Sequence, residues 1–167
     1  MINVLFLCTG NSARSILAES LLNEMGRGRF TGFSAGIQPK GEPHAHALRL
    51  LERLGHPVTG LHSKSWESFA RPEAPALDIV ITVCDNAAGE ACPVWPGHPA
   101  SGHWGIADPA AVRGSDQDMR LAFLEAYAQL ADRIGSFVAA PIETMSADDV
   151  KRKLAEIGDR CRIPGAA

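Results

Sequence analysis

The sequence lacks a positive surplus: sixteen Lys and Arg stand against nineteen Asp and Glu, for a net charge of −3. That argues against a general nucleic-acid binder, which carries excess basic charge, and leaves room only for a local basic pocket. It also lacks an apolar run of membrane-spanning length, so no membrane association is expected. The apolar start, Met1 to Cys8, has neither a basic leader nor a small-residue cleavage site, so it is expected to be a strand of a cytoplasmic protein and not a signal peptide. Internal repeats and low-complexity segments are missing too. Cysteine is scarce, at Cys8, Cys84, Cys92 and Cys161. In a reducing compartment structural disulfides are disfavoured, so each is a core residue, a metal ligand or a redox group.

What is present suits one domain. A chain of 167 residues with 46% hydrophobic and 21% charged residues can bury a core of its own. Ile2 to Cys8 and Leu77 to Val83 are nearly all apolar, as in strands covered on both faces; residues 29–35 and 101–106 offer two shorter strands. Between them run helical patterns. The first follows Ser15, with Ile16, Leu17, Leu21, Leu22 and Met25 on one side and Gly26 and Gly28 as stops. The second has Pro43 in its first turn and Gly55 as its stop. A short one spans 63–69. The longest covers 116–139, with Ser115 and Asp118 as a capping box and Phe123, Tyr127, Leu130, Ile134 and Phe137 as its buried stripe. A polar one covers 147–157. Residues 85–114 read as a long Gly- and Pro-rich loop interrupted only by the short strand. Alternating strands and helices predict an open, mostly parallel α/β sheet, in which ligands bind beyond the C-terminal strand ends. Cys8 and Cys84 both fall at such ends.

The sharpest local pattern is Cys8-x5-Arg14-Ser15 between a buried strand and a helix start. Inward-turned N–H groups of Thr9 to Ser15 and the helix dipole can hold a tetrahedral oxyanion. Arg14 can add a bidentate pair of bonds. The same field is expected to lower the Cys8 pKa and create a thiolate nucleophile. Gly10 permits a tight backbone, and Ser12 or Ser15 can hydrogen-bond the thiolate. Cys84 and Cys92 leave two other readings open: a core thiol and a loop thiol, or zinc ligands with His98 and His103. The spacing C-x7-C-x5-H-x4-H matches no usual compact ligand pairs, so no metal centre is expected. His44, His46, His56 and His62 read as solvated, the three tryptophans as packing residues, and Cys161 as incidental.

Val4 to Ser15 resembles the opening of the low-molecular-weight protein tyrosine phosphatase superfamily, and Cys-Thr-Gly-Asn-Ser-Ala-Arg-Ser at 8–15 resembles its arsenate reductase branch. Ser34-Ala35-Gly36, Ser63-Lys64-Ser65 and Asp108-Pro109 match further family motifs, so the likeness covers about 2–139. It implies a three-layer fold, an open, parallel, four-stranded sheet flanked by helices, in a phosphatase-like domain over 1–140; residues 141–167 lie outside the likeness and are expected to be a helical extension of the same domain. It implies that Cys8 is the nucleophile and that Thr9, Gly10, Asn11, Ser12, Ala13, Arg14 and Ser15 bind substrate. Asp108 becomes a proton donor with a raised pKa. Ala110-Ala111 replace the tyrosine that usually follows Asp-Pro in the phosphatases, which removes a wall suited to phosphotyrosine. Val83 to Pro93 resembles the redox segment of thioredoxin-coupled arsenate reductases, with one residue more between the cysteines. The resemblance then implies arsenate as substrate and phosphate as competitor, with Cys84 and Cys92 as successive thiols. The reductant would be thioredoxin, or glutaredoxin with glutathione, and no cofactor is needed. Asn11, Glu19 and Ser34 match residues that help bind potassium in some relatives, but Ser65 stands where those relatives have an acid, and no ion is expected. The alternatives are a phosphatase of the same family and a non-enzymatic oxyanion or thiol sensor.

Overall fold

In the computed structural model, which describes residues 1–89 and 93–160, four strands form one sheet in the order β2-β1-β3-β4. They are β1 (Ile2–Cys8), β2 (Phe30–Gly36), β3 (Ile79–Thr82) and β4 (Ala100–His103), all pairing in parallel. β1 sits between two neighbours, and Val4 to Leu7 are completely buried. An unbroken apolar run suits such a strand because both of its faces meet protein.

Helices α1 (Arg14–Met25), α2 (Ala45–Arg53), α3 (Asp85–Gly89), α4 (Asp116–Ala139) and α5 (Ala147–Asp159) connect and cover the sheet. Val4, Phe6, Ile79 and Ile81 share a core with α1, α4 and α5. Leu5, Leu7 and Val80 face a second cluster with Phe69, Leu77 and Trp95. The bounds of α4 and its Ser115–Asp118 capping box agree with the sequence pattern, and Phe123, Leu130, Ile134 and Phe137 are buried. α5 joins the main core through Val150, Leu154 and Ile157, and Trp104 Nε1 donates to Leu154 O at 3.0 Å. Among the described residues no helix is long and apolar enough to cross a membrane.

Several expectations are corrected. Met25, the last residue of α1, is 42% exposed and lies outside the core that Leu21 and Leu22 enter. Pro43 precedes the second helix: His44 is its N-cap, with an extended backbone and a ring nitrogen that accepts from His46 N. His56 is buried between Ser20 Oγ (3.0 Å) and Tyr127 Oη (2.8 Å), and His44 packs on Phe123; neither is a solvated side chain. Besides the expected short strand, found as β4, the described residues of segment 85–114 hold α3 and a single turn of 3-10 helix at Pro109–Ala111.

Candidate active site

The strand order reverses between β1 and β3: from β1 the chain goes out to β2, then returns to place β3 on the opposite side. A crevice opens at such a switch point beyond the C-terminal strand ends. Cys8 ends β1, and Cys84 lies two residues beyond β3. Both are buried free thiols.

Residues 9–13 connect β1 to α1. Their left-handed residue is Asn11, at φ 42°, and not Gly10; asparagine tolerates that region because its short polar side chain bonds locally. Asn11 Nδ2 donates to Ser15 Oγ at 2.9 Å, and Asn11 Oδ1 accepts from Lys64 N at 2.8 Å. The family-like Ser63-Lys64-Ser65 segment thus braces the loop from behind. Gly36 closes the other side: a Cβ there would stand 2.8 Å from Thr9 O and 2.9 Å from Asn11 Cβ. Ala13, at the N-cap of α1, offers no capping side chain, and the first turn holds no acid. The first N–H groups of a twelve-residue helix therefore remain available to an anion, with the dipole favouring it.

Arg14 begins α1 and reaches across to the segment after β4. Its Nη1 donates to Ile106 O at 2.9 Å, and its Nη2 lies 3.5 Å from Asp108 Oδ2. Asp108 Oδ1 also accepts from Ala110 N, which fixes the carboxyl at the start of the Pro109–Ala111 turn. The structure therefore brings Cys8, the loop 9–15, Arg14, Cys84 and Asp108 together. Cys92 lies outside the described residues, as does Cys161.

Expectation and structure part over the thiols. Arg14 does pull the Cys8 pKa down, but the adjacent Cys84 thiol and burial outweigh it, and Cys8 is raised. Cys84 is instead lowered to about 5, first by Cys8 and then by Thr9 and the Ala87 N–H. Thr9 Oγ1 lies 3.4 Å from Cys84 Sγ, and Ala87 N donates to it at 3.3 Å. The two thiols act on each other: Cys84 holds the Cys8 pKa up, and Cys8 holds that of Cys84 down. A serine partner for the Cys8 thiolate was expected; the hydroxyl that meets a thiol here is Thr9, one residue beyond Cys8. Its adjacency to Cys8 was the only signal.

Sequence reasoning also missed Lys64. Its ammonium lies 3.6 Å from Glu19 Oε2, 3.5 Å from Ser34 Oγ and 2.9 Å from His62 O, while Ser34 Oγ donates to Glu19. Burial raises the Glu19 pKa and lowers that of Lys64. An internal ammonium thus meets the Glu19–Ser34 pair behind the loop. His103, weighed as a zinc ligand, is engaged by Thr82 and Asp85.

Residues 3–153 match the model of the low molecular weight phosphotyrosine protein phosphatase family. The chain belongs to that family. The match runs past residue 139, where the likeness visible in the sequence stopped, and into α5. An arsenate reductase of Bacillus subtilis (strain 168) is 31% identical over 134 residues, 80% of this chain and 93% of that protein. The crystal structure of an arsenate reductase from Archaeoglobus fulgidus superposes with a TM-score of 0.65 at 25% identity, covering 82% of this chain and 99% of that one. The tyrosine phosphatase Wzb of Escherichia coli K30, in complex with sulphate, shares the fold at a TM-score of 0.63 and 20% identity over 83% of this chain and all of that one.

Proposed function

We propose that this family member is a cytoplasmic arsenate reductase that uses its own thiols as the source of electrons. The observation that carries the reading is the second buried thiol. Hydrolysis of a phosphoester needs one nucleophile, one arginine and one acid, and it has no use for a thiolate at Cys84 hydrogen-bonded by the oxyanion loop itself.

The chemistry proceeds in three attacks. Arsenate settles on the N–H groups of Thr9 to Ser15 and on Arg14. A proton passes from Cys8 to Cys84 within their shared pair, and the Cys8 thiolate attacks arsenic. One arsenate oxygen leaves as water, with Asp108 as proton donor, and a Cys8–arsenic bond remains. Cys84 passes that proton to an oxygen of the adduct, with which it departs, and as a thiolate attacks the Cys8 sulfur. The sulfur–arsenic bond breaks with its electron pair left on arsenic, so As(V) becomes As(III), arsenite departs, and a Cys8–Cys84 disulfide forms. Cys92 then attacks the Cys84 sulfur and releases the Cys8 thiolate. The Cys84–Cys92 disulfide is returned to thiols by an external dithiol of the thioredoxin kind. Phosphate matches arsenate in shape and charge and competes for the loop. The test is arsenite production by the reduced protein, with and without thioredoxin, its reductase and NADPH. Sustained turnover only with the full system is expected; hydrolysis of aryl phosphates with no arsenite formed would favour the phosphatase reading.

A further inference from the structure

Away from the oxyanion loop, a chain of polar contacts converges on the turn that carries Cys84. Thr82 and His103 are register partners at the ends of β3 and β4, and Thr82 Oγ1 lies 2.7 Å from His103 Nδ1. On its other side His103 Nε2 lies 2.8 Å from Asp85 Oδ1. Asp85 is the first residue of α3 and follows Cys84 directly; one turn on, Ala87 N donates to Cys84 Sγ. The contact requires a glycine at 105: a side chain there would collide with Asp85 Oδ1 and come within 2.9 Å of His103 Nε2.

The chain is satisfied in both charge states of the imidazole. An ionised carboxylate only accepts, so Nε2 carries a proton toward Asp85. In neutral His103, Nδ1 accepts the Thr82 hydroxyl. In the imidazolium, Nδ1 donates to Thr82 Oγ1 and the hydroxyl turns to Gly102 O, 3.4 Å away. The hold on Asp85 therefore survives protonation.

We propose that His103 is a positioning residue for Cys84: through Asp85 it fixes the first turn of α3 and so keeps the Ala87 N–H on the Cys84 sulfur. This rests on the reading that Cys84 is the second nucleophile of an arsenate reductase, and it assigns the part of the fold that prepares it. His103 is 34% exposed and Asp85 88%, so the pair is solvated and biases α3 by a factor of about 2–5. A bias of that size favours the turn without locking it.

The experiment uses the full chain with Cys8→Ser, Cys92→Ser and Cys161→Ser, which leaves Cys84 as the single thiol. Its ultraviolet thiolate absorbance is followed against pH. His103→Ala should raise the titration midpoint by about 0.3–0.7 pH units, the logarithm of that bias. His103→Gln, whose amide N–H can reach Asp85, should recover most of the shift. Asp85→Ala, at an exposed position, should match His103→Ala, and the double variant should shift no further. With the native cysteines restored, inorganic phosphate should raise the thermal midpoint of His103→Ala as much as that of the parent. An unchanged Cys84 midpoint, or a shift accompanied by loss of phosphate binding, would overturn the proposal. If the midpoints move as expected while the parent protein forms no arsenite, the functional reading fails and the positioning role stands.

Discussion

Replacing Gly36 with alanine tests how tightly β2 and the oxyanion loop are locked. The added Cβ would meet Thr9 O at 2.8 Å, Asn11 Cβ at 2.9 Å and Asn11 N at 3.0 Å, whereas ordinary contact begins at 3.4 Å. Something must therefore move by 0.4–0.6 Å (3.4 − 3.0 and 3.4 − 2.8). The strand cannot retreat freely, because Gly36 N donates to Lys64 O, Ile37 N to Cys8 O and Gln38 N to Thr9 O, at 2.9, 3.1 and 2.9 Å. The loop yields instead, and it carries the donors proposed to hold the oxyanion. Overpacking of this kind costs about 1–3 kcal/mol, or about 2–12 °C in thermal midpoint for a chain of this size. A displacement of about 1 Å costs on the order of a hundredfold in rate, so roughly half of that should cost about tenfold in kcat/KM for arsenate. Gly10→Ala is the internal control. The three atoms its Cβ would meet first all belong to the Lys40 side chain, at 3.2 Å or more, and that flexible stem can move away. Thermal denaturation and steady-state arsenite production should separate the two variants. Equal behaviour, or a Gly36→Ala protein as stable and active as its parent, would refute the claim that this contact shapes the loop.

Three further predictions follow from the site. Arg14→Lys should cost about 2–4 kcal/mol of transition-state stabilisation, since a point charge cannot copy the planar fork; kcat/KM within threefold of the parent would place Arg14 outside the oxyanion site. Cys84 has a depressed folded-state pKa of about 5, so the stabilisation of its thiolate is complete above the unfolded thiol value and lost as pH falls through about 5. Its alkylation, mapped by mass spectrometry, should hold its thiolate plateau down to about pH 6 and halve near 5, whereas a midpoint near 8 would contradict the Thr9 and Ala87 contacts. Finally, a Cys84–Cys92 disulfide needs the two Cα atoms within roughly 7 Å, whereas each residue of α3 (Asp85–Gly89) carries the chain about 1.5 Å along the helix axis away from Cys84. α3 should therefore unwind on oxidation, and hydrogen exchange should show its protection falling; equal protection in both redox states, with the disulfide confirmed by mass, would exclude the rearrangement.

The readability of each feature in the sequence depended on whether its cause was local. β1 was plain because seven consecutive residues carry the pattern of a doubly covered strand, and α4 because its cap and stripe lie within its own span. The oxyanion loop was legible for the same reason: Cys8, Arg14 and Ser15 are contiguous and stand between a strand and a helix. α3 was not, because its five residues are rich in turn formers and the contacts at its start, Ala87 N to Cys84 and His103 with Asp85, do not show in the local pattern. The Thr9–Cys84 contact spans 75 positions and exists only because β1 and β3 are neighbours. The meeting of Cys8 with Cys84, equally remote in sequence, together with burial also overturned the expected lowering of the Cys8 pKa. His56 likewise looked solvated until Ser20 and Tyr127 closed on it from two helices.

The most direct test of the central claim, that the two strand-end thiols act in sequence on one arsenate, is a single-turnover trap. Reduced Cys92→Ser protein, also carrying Cys161→Ser, is mixed with excess arsenate, then quenched with an alkylating agent and mapped. The account predicts one arsenite per chain and a disulfide joining Cys8 to Cys84, with no further turnover. Continued arsenite production, or one arsenite per chain with both thiols alkylated and no such disulfide, would contradict it.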